Sequence, residues 1–109
     1  MELSEIYSRL CTLNIPVAYR KFNSPQNLPF IAYFESSARI EGADGYNLFR
    51  RAEIKIEIYS QTKNLSLENS FEMLFRDVEL EKTADTYLEN EDMYMTAYKF
   101  ETIQKYGGK

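Results

Sequence analysis

The nine residues Arg51-Ala52-Glu53-Ile54-Lys55-Ile56-Glu57-Ile58-Tyr59 alternate in character almost without a slip. A side-chain period of two puts Ile54, Ile56 and Ile58 on one face and Glu53, Lys55 and Glu57 on the other, as a strand with one buried face demands. Just upstream, the Pro-led apolar run Pro29-Phe30-Ile31-Ala32-Tyr33-Phe34 reads as a second strand. Between the two, Ser36 to Leu48 is polar and reads as a loop. It is longer than a hairpin needs, and loops of that kind usually carry contacts rather than fold information.

The flanking segments complete a small domain. Leu3, Ile6, Tyr7, Leu10 and Leu13 recur at helical spacing until Pro16 stops the run. Val17 to Phe22 reads as a short strand, and Asn23-Ser24-Pro25-Gln26-Asn27 is turn chemistry. Ser66 suits a helix N-cap with Glu68 near the positive end of the dipole, and Leu67, Phe71, Leu74, Phe75 and Val78 form one apolar stripe. Strands over Lys82–Leu88 and Met93–Ile103 flank Glu89-Asn90-Glu91-Asp92, a hairpin turn. The expected fold is a two-layer α+β sandwich, a mostly antiparallel sheet of about five strands with two helices on one face. The 109 residues suit a single domain, 1–109, with a long inter-strand loop at about 36–50 and a flexible tail at about 105–109.

Composition argues against most chemistry. There is no His to activate a nucleophile, and Cys11, beside the apolar stripe of the first helix, reads as a buried and inert side chain. One Cys and no His do not make a zinc site, and Glu89, Glu91 and Asp92 lack the spacing of a calcium loop. The four glycines, Gly42, Gly45, Gly107 and Gly108, form no phosphate loop. No catalytic, cofactor or metal residue is therefore expected. A net charge of −4 disfavours a dedicated nucleic-acid binder, and the basic pairs Arg20-Lys21 and Arg50-Arg51 read as strand-edge charges. The N-terminus lacks a signal-peptide pattern, and no apolar run suffices to span a membrane. Nine Tyr and seven Phe without Trp suit sheet faces and subunit interfaces.

Several phrases together carry a resemblance. They are Leu28-Pro29-Phe30-Ile31-Ala32-Tyr33-Phe34, Gly42-Ala43-Asp44-Gly45, Ile54-Lys55-Ile56-Glu57-Ile58-Tyr59, Tyr87-Leu88-Glu89-Asn90-Glu91-Asp92-Met93-Tyr94 and Tyr98-Lys99-Phe100-Glu101. In this order and in a chain of this length, they resemble the small tail-terminator (tail-completion, head–tail joining) proteins of long-tailed phages and prophages of Gram-positive bacteria. The resemblance implies a structural virion protein, not an enzyme, assembled in the host bacterial cytoplasm. Such a protein caps the tail tube as a ring, usually a hexamer, and meets the major tail-tube protein on one side. On the other it meets the head-closure or connector protein, and DNA passes only transiently through the channel. The alternatives are another neck or tail component, such as a head-closure protein, adaptor or tail-tube subunit, and a cytosolic protein-binding adaptor domain. On the ring reading, Arg39, Glu41, Asp44, Tyr46, Arg50 and Arg51 are the expected assembly contacts. Arg39 and Arg50 would meet acidic partners, and Tyr46 would be an apolar anchor.

Overall fold

The computed structural model describes residues 1–43 and 46–105, excluding the side chains of 43–48. Seven elements follow one another: α1 (Leu3–Cys11), β1 (Val17–Tyr19), β2 (Phe30–Ala43), β3 (Tyr46–Ser60), α2 (Leu65–Leu74), β4 (Glu81–Leu88) and β5 (Met93–Lys105). They form one five-stranded sheet in the order β1-β2-β3-β5-β4. β1 lies parallel to β2, and every other neighbouring pair is antiparallel. The fold is the expected two-layer α+β sandwich.

The alternation of β3 decides which face is covered. Ile54, Ile56 and Ile58 are buried on the helix side, where the register sets them beside Phe100, Tyr98 and Thr96 of β5. Ile31 and Tyr33 of β2, Ile6 and Leu10 of α1, and Phe71 and Phe75 at α2 complete one apolar cluster. Rings meet within it, Phe71 lying 4.6 Å from Tyr98 and 5.1 Å from Phe75. The opposite face, with Glu53, Lys55 and Glu57, carries no helix among the described residues.

Local chemistry moves several boundaries. Asn64, not Ser66, caps α2, its side chain accepting from the Leu67 N–H at 3.1 Å. The helix ends at Leu74, so Phe75 sits at its C-cap and Val78 beyond it, although both still pack on the core. β1 is only three residues long because Arg20 adopts a φ of 70°, which turns the chain off the strand. Cys11 is exposed rather than buried, since it closes α1 one residue past the buried Leu10.

The largest correction concerns the loop expected at 36–50. Its described part is strand: β2 continues to Ala43, β3 begins at Tyr46, and the register runs through Arg39↔Arg51 and Ile40↔Arg50 to Ala43↔Tyr46. Two features hide the strand in the sequence. Both faces of β2 are wet from Ser36 to Gly42, so no apolar alternation is required there. Register shifts between Glu35 and Ser37, and again between Glu41 and Gly42, also break the period. At the first shift Ser36 donates to Glu53, to the carboxylate at 2.7 Å and to the backbone carbonyl at 3.3 Å. Lys105, placed in the tail by sequence, is the last residue of β5, and 106–109 lie outside the described residues.

Candidate functional site

The extended hairpin is the most distinctive feature of the molecule. β4 pairs with β5 only as far as Glu81↔Lys99, and β1 pairs with β2 only over Ile31–Tyr33. Beyond those limits β2, β3 and β5 run on together as a three-stranded arm. From Phe34 to Ala43 it is about 30 Å long at strand rise, and the described residues measure 51 × 29 × 23 Å. On its β5 side, the Met1 ammonium donates to Thr102 Oγ1 at 2.6 Å and to the Ile103 carbonyl at 2.9 Å. On its β2 side, Glu35 to Ala43 has no strand partner other than β3 among the described residues.

The expected contact residues divide between the two faces of this arm. Arg50 lies on the helix-side face. There it pairs with the Glu35 carboxylate and donates to Gln104 Oε1 at 3.2 Å, crossing all three strands. Arg51, Arg39 and Glu41 lie on the other face. Glu41 accepts from Arg51 at 3.4 Å, and Arg39 approaches it at 4.0 Å. Arg50 and Arg51 therefore brace the arm, whereas Arg39, with 77 % of its side chain exposed, is the basic group presented outward. Asp44 and the side chain of Tyr46 lie outside the described residues. Pattern reading overlooked Ile40 and Ile103, about half exposed on opposite faces of the arm, although two isoleucines in a polar segment were a visible signal.

A second polar cluster ties α2 to the sheet. Glu68, only 2 % exposed, accepts from Lys63 Nζ at 2.9 Å, Lys82 Nζ at 3.1 Å and Thr96 Oγ1 at 3.1 Å. Burial pushes its carboxyl up, but the three donors together outweigh burial and hold it below the usual carboxylate range. Lys63 also reaches Asp85 at 2.7 Å, and Tyr98 donates to Glu72 at 2.6 Å. Burial, reinforced by Glu72, drives the Tyr98 hydroxyl far above its ordinary value. Every group here is paired to its neighbour, which marks the cluster as a structural tie. Among the described residues no three Asp, Glu or Cys gather as a metal site would require, and no helix is long and apolar enough to cross a membrane.

The other basic pair borders a groove. The chain from Arg20 to Gln26 crosses the helix-free face and leaves about 500 Å³ between itself and the strands, lined by Phe22, Phe30 and Tyr59 among others. Arg20 lies over the Phe34 ring at 4.9 Å, and its backbone N–H donates to the Tyr33 carbonyl at 2.8 Å. No protein-family model and no curated protein matches this sequence.

Proposed function

We propose that this chain is a tail-terminator protein of a long-tailed phage or prophage. It caps the tail tube as a ring and joins the tail to the head connector, with DNA passing through the centre. The observation that supports this best is the arm together with the unlike edges of the sheet. One edge ends in β1 and the open β2 strand, the other in β4. Unlike edges suit a heterologous contact, in which the left side of one subunit meets the right side of the next and the ring closes by rotation. The arm offers a long edge for docking, and its internal ion pairs give it a fixed shape beforehand. A net charge of −4 also keeps a channel from holding DNA tightly.

Trimming the arm tests this reading. An Asn-Gly turn replacing residues 42–48 would join Glu41 to Phe49, which already face each other across the hairpin. The variant should fold with a nearly unchanged melting temperature, since the length of a hairpin connection costs little in stability. In the phage or prophage that carries the gene, it should leave full heads and tails unjoined, or tubes overlong. Infectious particles at normal yield would refute the assembly role of the arm.

The open β2 edge also favours a second reading, an adaptor that takes a partner's strand along Ser37–Ala43. Deleting the whole gene separates the two: an adaptor leaves particle assembly intact, and a terminator does not.

A further inference from the structure

Two features at one end of the sheet complement each other from opposite edges. On the β1 side lies the groove beneath Arg20–Gln26. Its floor is aromatic: Phe22 stands edge-on to Phe30 at 5.3 Å, and Phe30 stacks on Tyr59 at 5.1 Å. Arg20 and Lys21 lend it positive charge. Glu57, the acidic side chain in its lining, is engaged by the Tyr59 hydroxyl at 2.8 Å. On the β4 side is the β4–β5 turn, where Glu89, Glu91 and Asp92 are all exposed between Leu88 and Met93. Asp92 holds a φ of 51° and accepts from the Tyr87 hydroxyl, which gives the turn a defined shape.

The two features stand at the same level. The row Phe30↔Tyr59↔Met95↔Thr86 crosses the groove floor, and the last pair before the turn, Leu88↔Met93, lies two rows beyond. Four strand spacings, roughly 19 Å, separate the two edges within one chain. Glu91 comes close enough to help raise the Tyr59 hydroxyl, after burial and Glu57, but it does not line the groove. A rotation about an axis along the strands keeps levels fixed and brings unlike edges together. It would set an acidic tip with apolar shoulders against a basic, aromatic groove.

We infer that the groove receives the acidic β4–β5 turn of a second copy of this chain, so that successive subunits lock at this end of the sheet. The inference rests on the ring reading above, because only a head-to-tail arrangement sets these two edges face to face. Charge complementarity supplies the register, and Leu88 with Tyr87 supplies apolar contact with Phe22 and Pro25.

Disulfide trapping tests the contact. The full chain with Cys11→Ser would carry Ser24→Cys on the groove and Asn90→Cys at the turn tip, both exposed positions. Oxidised at high concentration, the double variant should give a ladder of linked oligomers on a non-reducing gel, and neither single-cysteine variant should. Adding Lys21→Glu, or Arg20→Glu with Lys21→Glu, should cut the trapped fraction about tenfold. Thermal melts would confirm that these variants remain folded. No ladder overturns the inference. So does a monomer closed by an internal disulfide, which would mean that the turn serves its own groove, and so do single-cysteine dimers of equal yield. Native mass spectrometry of the cysteine-free parent reads the ring separately. A ring without a ladder refutes this contact alone, and a monomer without a ladder refutes the contact and removes support from the ring.

Discussion

Removing Glu68 should cost far more than its place on a helix suggests, and the size of the loss should depend on what replaces it. Its carboxylate is almost fully buried and accepts three hydrogen bonds, two of them from lysines. In Glu68→Gln the amide oxygen can still face Lys63 and Lys82, and the Thr96 hydroxyl can rotate to accept from the new NH₂. The two ion pairs become bonds from a charged ammonium to a neutral amide oxygen, and the Thr96 bond becomes a neutral one, a loss of about 1–2 kcal/mol. In Glu68→Ala the buried Thr96 hydroxyl, 2 % exposed, is left without its partner, and both lysines lose their shared anion. Breaking a buried pair typically costs about 3–5 kcal/mol. The lysine side chains are about a third exposed, and Lys63 keeps Asp85, so about 3 kcal/mol is the better figure. Near 100 residues each kcal/mol moves Tm by about 4 °C or more, so Ala should lower it by about 12 °C and Gln by about 4–8 °C. Urea unfolding followed by circular dichroism at pH 7 measures both. Equal losses for the two variants, or less than about 1 kcal/mol for Ala, would show that the cluster does not tie α2 to the sheet.

Other outcomes follow from the same geometry. Phe71→Ala empties a fully buried site packed on Phe75 and Tyr98 and should destabilise by about 3–5 kcal/mol, read as a drop in urea midpoint at unchanged slope. At low pH, Asp77 matters: its pair of hydrogen bonds with Arg9, at 2.7 and 2.8 Å, holds its carboxyl down at about 2. A folded value below the unfolded one means the stabilisation is complete above about pH 4 and is lost as pH falls towards 2. The slope of stability over that window should flatten in Asp77→Asn, and an unchanged slope would show the pair to be absent in solution. Glu68, also held down, adds to the same acid loss, so Glu68→Gln should flatten the limb as well.

The parts of this fold legible in the sequence are those where one element's own pattern decides its burial. β3 is the clearest, because its isoleucines face a core and its charged residues face water whatever surrounds them. α1 and the Phe71–Phe75 stripe follow for the same reason, with Ile6, Leu10, Phe71 and Phe75 buried as expected, although Tyr7 of the α1 stripe is exposed. Glu68 failed because its environment comes from far along the chain: Lys82 and Thr96 arrive with β4 and β5. In sequence the residue could be read only as a first-turn carboxylate favoured by the helix dipole. Cys11 failed in the opposite sense, since an apolar stripe does not show on which side of it the last residue of a helix falls.

The arm failed for a reason that bears on what the chain does. Alternation marks a strand when one face is dry, and residues 36–42 have no dry face, so their strand character rests on pairing with β3 alone. A strand that buries neither face contributes little to the core, yet here it is kept regular, braced by Arg50 on one side and Arg51 on the other. The crossing segment from Arg20 to Gln26 is similar: it packs few residues into the core and instead shapes a groove on the face that no helix covers. Where local pattern and tertiary burial disagree, the residues serve something besides the stability of their own domain. In this chain both disagreements lie towards the β1–β2 edge of the sheet, one at each end of β2. A neighbouring subunit docking along that edge would engage the arm at one end and the groove at the other.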